Sequence, residues 1–141
     1  MIIISPKNRM IKFNVSFRIF HPTLDSRKIG EEIGLLPDVG WTAGKPRVSI
    51  SGIPLGGIRK DSFACFNFDD LEFKAFNDNL VKIAQLVKEN FIFIDKVMEE
   101  GGACDVYVSS IISESCGWTI NPEIMQIFGQ HGIELHFGLT Y

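Results

Sequence analysis

The chain predicts an α+β fold of two layers, with helices packed on one face of a mainly antiparallel or mixed sheet. Three observations point there. Both ends of the sequence alternate apolar and polar residues at period two, and the middle repeats apolar residues at helical steps. Glycine or proline punctuates most of the junctions between these segments. The element order is β-α-β-β-α(α)-β-α-β, in a single domain over residues 1–141 with residues 1–10 as a loose N-terminal segment.

The first strand is "IKFNVSFRI", in which Ile11, Phe13, Val15, Phe17 and Ile19 share one face, and Lys12, Asn14, Ser16 and Arg18 the other. "IELHFGLTY" repeats the pattern at the far end through Ile133, Leu135, Phe137, Leu139 and Tyr141. Each is a half-buried strand, so the sheet has one packed face and one wetter face. Between them, "HPTLDSRKIGEEIGLLP" reads as a turn and a short helix. Thr23 or Asp25 caps it, Ile29 and Ile33 supply its buried stripe, and Gly34 and Pro37 end it.

Next comes "DVGWTAGKPRVSISGIPLGGIRKDS", rich in glycine and proline. It reads as loop, with a strand near 48–50 and another at 63–68 flanking it like a loose hairpin. From Phe73 the period changes. Phe73, Phe76, Leu80, Ile83, Val87, Phe91, Ile94 and Val97 fall on one helical face, with a break at Asn90 and an end at Gly101-Gly102. "ACDVYVSSII" returns to strand. Asn121 and Pro122 then open a last helix as cap and first residue, Glu123 suits its positive end, and His131 and Gly132 close it.

Composition bounds the function. The chain has 45% hydrophobic and 22% charged residues, with twelve phenylalanines, which suits an aromatic-rich core that needs no covalent staple. The three cysteines, Cys65, Cys104 and Cys116, are odd in number and form no CxxC pair, which favours a reduced, cytoplasmic setting over a disulfide framework. "MIIISPKNRM" is too short in apolar residues for a signal-peptide core, and no later run approaches a membrane span. Residues 1–60 carry a net +6 and residues 61–141 a net −9, giving −3 in total. That total argues against direct binding of nucleic acid.

Candidate chemistry is thin. Cys116, in the loop "SESCGW", would need a base and a lowered pKa to act as a nucleophile, and no histidine is near it in sequence. His131 and His136 do not share a helix face, and no recognised ligand spacing is present, so no metal is expected. "GIPLGGIRKDS" departs from a phosphate loop because Ile58 and Arg59 separate its last glycine from Lys60. No catalytic set and no cofactor is therefore assigned. Asp69, Asp70, Glu72, Glu99, Glu100 and Glu114 suggest an acidic surface complementary to a basic partner. Trp41 and Trp118 fall in loops, where either anchors an interface if exposed or lids the core if buried.

Taken together, "FRIFHPTLDSRKIGEEIGLLPDVGWTAGKPR", "EEGGACDVYVSS" and "GWTINPEIMQIFGQHGIELHFGLTY" resemble a bacterial family known as domain of unknown function 4279. The likeness runs from Phe13 to Tyr141. Such sequences tend to carry a tryptophan on a middle strand where this chain has Phe63 and Phe66. The family has no established reaction to transfer. The resemblance implies association with bacterial toxin systems, and hence an immunity protein that binds and neutralises a cognate toxin domain, of a basic, nuclease-like kind, by steric and electrostatic occlusion. The expected contacts are Trp41, Asp69, Asp70, Glu72, Glu99, Glu100, Glu114 and Trp118. The alternative is a small-ligand-binding module or enzyme using the 41–62 and 113–118 loops. A homodimer joined through a sheet edge or face is a third arrangement.

Overall fold

The computed structural model describes residues 12–68, 75–111 and 118–140. Strand β1 (Lys12–His21) is the centre of a five-stranded sheet. Its neighbours are β5 (Ser62–Asn67) and β6 (Ala103–Ile111), both antiparallel to it. Outside these lie β2 (Val39–Trp41), antiparallel to β5, and β7 (Glu134–Thr140), parallel to β6. The sheet is thus mixed. The parallel pair follows from the helical crossover between β6 and β7, since two parallel neighbours cannot be joined by a tight turn.

Four helices among the described residues cover one face. Helix α1 (Ser26–Ile33) starts where the Asp25 carboxylate accepts the Arg27 N–H at 2.8 Å, and ends at Gly34, whose left-handed φ of 85° lets its N–H reach the Gly30 carbonyl. Helices α2 (Ala75–Glu89) and α3 (Phe91–Glu99) are separated at Asn90, whose side-chain amide donates back to the Leu86 carbonyl at 2.9 Å. Helix α4 (Pro122–Gln130) is capped by Asn121, which accepts the Glu123 N–H at 2.7 Å. Against these helices the sheet presents Phe13, Val15, Phe17 and Ile19 of β1, Ala64 and Phe66 of β5, and Val106 and Val108 of β6. Leu80, Ile83, Val87 and Ile94 close the core from the helical side. Gly102 allows the chain to leave α3 for β6, because a Cβ there would run into the Phe20 carbonyl oxygen and Val97.

The glycine-rich stretch differs from the sequence expectation. Trp41 lies on an edge strand, not in a loop. Residues 48–50 do not pair with 63–68. Instead β3 (Pro46–Val48) pairs with β4 (Pro54–Ile58) as a separate two-stranded sheet, while β5 enters the main sheet. The short loop between β3 and β4 closes at less entropic cost than the longer Gly/Pro connection would. Gly56 and Gly57, at φ of 80° and 72°, absorb the register shift in β4.

Candidate functional site

The face of the sheet turned away from the helices carries the residues that alternation excludes from the core. Strand register sets Cys65, Arg18, Asp105 and Glu134 side by side across β5, β1, β6 and β7, with Asn67, Ser16, Tyr107 and His136 as the next row. Arg18 Nε and Nη2 each donate to an Asp105 carboxylate oxygen at 2.7 Å. These two bonds hold the guanidinium above its ordinary pKa. It also lies 4.5 Å over the Tyr107 ring and 5.6 Å from the Phe20 ring centre. Gly138 leaves room for Tyr107, whose hydroxyl a Cβ would strike. His136 Nε2 sits 2.7 Å from a Glu134 oxygen and 3.9 Å from Asp105.

Cys65 belongs to this face as a buried thiol. Burial pushes its pKa up from an ordinary 9.0, so at neutral pH it holds a thiol, whose hydrogen points to Asn67 Oδ1 at 3.4 Å. Among the described residues no group of three His, Cys, Asp or Glu is gathered so as to hold a metal ion. The two rows centre on one ion pair, in which the Arg18 guanidinium is matched by the Asp105 carboxylate, with hydrogen bonds around it. They support the sheet and present His136 and Glu134 to solvent.

Beside β2, the β3–β4 hairpin forms an arm. Its base is tied by Gly44 N–H to the Arg59 carbonyl and Arg59 N–H to the Lys45 carbonyl, both at 2.9 Å. The Arg59 guanidinium stacks on the Trp41 ring at 4.0 Å, and Phe63 packs against the same ring with centroids 4.4 Å apart. A groove of about 410 Å³ runs between arm and β2, lined by Asp38, Val39, Trp41, Val48, Leu55 and Arg59 among others. The Trp41 indole N–H and Arg59 Nε are buried without hydrogen-bond partners. The arm itself exposes Val48, Ile50, Ile53, Leu55 and Ile58.

Of the eight residues expected from sequence, Asp69, Asp70, Glu72 and Glu114 lie outside the described residues, as does Cys116. Glu99 is exposed at the end of α3. Glu100 follows it, lines a groove of about 470 Å³ with Leu24 and Phe91, and faces His21 Nε2 at 3.5 Å. His21 Nδ1 accepts the N–H groups of Thr23 and Leu24, so the ring proton sits on Nε2. Trp118 is a half-buried lid on the core, edge-on to Phe13 at 5.7 Å and 5.5 Å from Phe137. Phe13 and His21 stand eight residues apart on β1, roughly 26 Å, so Trp118 and Glu100 mark opposite ends of the sheet. Trp41 lies on the other face. The structure does not gather these four into one patch.

The sequence reading placed Arg59 and the arm's aliphatic residues only in the 41–62 loop of the ligand-binding alternative, not among the partner contacts, and left the Arg18–Asp105 pair unassigned. For the pair a signal existed, because "ACDVYVSSI" alternates and puts Asp105 and Tyr107 on its polar face. For the arm the signal was local charge. Residues 45–60 hold four Lys/Arg and no Asp/Glu.

No curated protein and no solved structure matches this chain. A family model does, over residues 11–141, which is nearly the whole chain. The chain belongs to the DUF4279 family, a domain of unknown function.

Proposed function

We propose that this chain is a bacterial, cytoplasmic immunity protein that binds a cognate toxin domain and blocks it by occupying its working surface. The observation that supports this reading best is the arm. Five large aliphatic side chains within residues 48–58 are exposed, with Ile50 at 95% and Ile53 and Ile58 at 61%. Exposed aliphatics scattered singly are ordinary, but a cluster on a projecting element marks an interaction site. Neither face of this two-stranded sheet has a core beneath it, and such hairpins are marginal alone. A bound protein surface supplies the missing packing. The resemblance to toxin-associated sequences gives the partner its class.

Occlusion without chemistry has a stoichiometric signature. The tagged protein is used to capture its toxin from the bacterium's own lysate, and the toxin domain's activity is titrated. Inhibition completes at equimolar protein, and the toxin regains full activity after denaturing separation and refolding. Inactivation of many toxin molecules by one inhibitor, or a toxin permanently altered in mass, would instead make this chain an enzyme.

A second reading rests on the groove between arm and β2. Trp41 and the Arg59 guanidinium stacked on it line this groove and give it an aromatic, cationic wall that suits a planar anionic small molecule. A thermal-shift screen of anionic metabolites checks it. A rise in melting temperature that is lost in Trp41→Ala supports a ligand module.

A further inference from the structure

We infer that the arm is the gripping element of the interface, and that its partner is a protein with an apolar cleft rimmed by carboxylates. This rests on the reading above and sharpens it, because it makes the decisive charge on this chain positive. Residues 45–60 contribute four cations and no anion, whereas the rest of the chain carries ten Lys/Arg against seventeen Asp/Glu. The cations are placed as a rim. Lys45 and Arg59 sit at the hydrogen-bonded base of the arm, with Arg47 on β3 and Lys60 just beyond β4. Ile50 and Ile53 lie farther out, at the turn closed by Ser49 and Ile53, whereas Ile58 pairs with Pro46 near the base.

The tip is built before it binds. Ser49 N–H donates to the Ile53 carbonyl at 2.8 Å, Ile53 N–H donates to Ser49 Oγ at 3.0 Å, and Gly52 N–H donates to the Ser49 carbonyl at 2.9 Å. Gly52 takes the left-handed φ of 84° that a three-residue hairpin loop needs at its third position. Ile50 and Ile53 therefore project from a closed turn. A preorganised apolar tip loses little conformational entropy on insertion, which is the property of an interface anchor. Cations behind it, along the base of the arm, steer the tip to an acidic rim and penalise a basic one.

The test is site-specific photocrosslinking of the full chain in its native cells, with the reactive residue at position 53, at position 118, or at exposed position 99. The inference expects a protein adduct from position 53 whose crosslinked peptide borders Asp or Glu residues on the partner. In the double variant Ile50→Ser/Ile53→Ser, and separately in Lys45→Glu/Arg47→Glu, affinity for that captured partner drops about tenfold or more. Raising salt weakens the native complex. A toxin adduct from position 99 or 118 with none from 53 overturns the inference and leaves the immunity reading standing. No protein adduct at any position overturns both. Adducts at 53 to a second copy of this chain, or flotation with anionic phosphatidylglycerol vesicles that the double serine variant abolishes, assign the arm to self-association or to a membrane surface and overturn it as well.

Discussion

Arg18 and Asp105 show how much one pair decides at the scale of a residue. The pair is only partly exposed, at 24% and 11% for the two side chains, and its two parallel hydrogen bonds satisfy both carboxylate oxygens. Asp105→Ala leaves the guanidinium half-buried without its partner, and should lower unfolding free energy by about 2–4 kcal/mol in urea titration. Asp105→Glu should recover part of that loss. Cys104 illustrates the opposite case, a group kept neutral. Burial pushes its pKa from 9.0 to about 12. An acid whose pKa is raised on folding stabilises the fold fully below its unfolded pKa, and that contribution is lost as pH rises through the folded one. Stability should therefore fall between pH 9 and about 12, and a Cys104→Ala variant should show a shallower fall over the same window. At neutral pH, native Cys65 and Cys104 should resist a thiol reagent that labels both after unfolding.

At the scale of elements, those specified by their own residues were legible in the sequence. The period-two face of β1, the caps Asp25 and Asn121 and the break at Asn90 each rest on chemistry within a few positions. Asn121→Ala should cost about 1 kcal/mol in chemical unfolding, the worth of one helix cap. Elements specified by pairing were not legible. Strand β2 has three residues and no alternation to reveal it, and β4 reads "PLGGI", two of whose residues have positive φ. Nothing in the composition of 48–50 tells whether it pairs with 54–58 or with 63–68, because that choice is settled by loop length and by the claim of β1 on β5. The candidate site divides in the same way. Period two puts Arg18 and Asp105 on polar faces, but only the register of β1 with β6 makes them neighbours. The arm's energetics follow from its isolation. Its backbone amides should exchange with solvent well before those of β1, and Ile50→Ser/Ile53→Ser should change stability by no more than about 0.5 kcal/mol, as for surface positions without buried contacts.

The whole molecule is polarised. A five-stranded sheet backed by helices forms a body whose open face centres on the paired Arg18 and Asp105. From one edge of that body extends a cationic arm with its aliphatic side chains exposed. The division gives a physical reason for the sequence's charge asymmetry, since the basic excess of the first sixty residues includes the four arm cations. It also separates stability from binding: core and ion-pair variants should unfold the protein, whereas arm variants should leave it folded and inert.

The most direct measurement is survival of cells producing the captured toxin domain together with either the native chain or the folded Ile50→Ser/Ile53→Ser variant at equal abundance. The native chain should protect and the variant should not. Equal protection by both would contradict the arm as the inhibitory surface, and failure of the native chain to protect would contradict immunity itself.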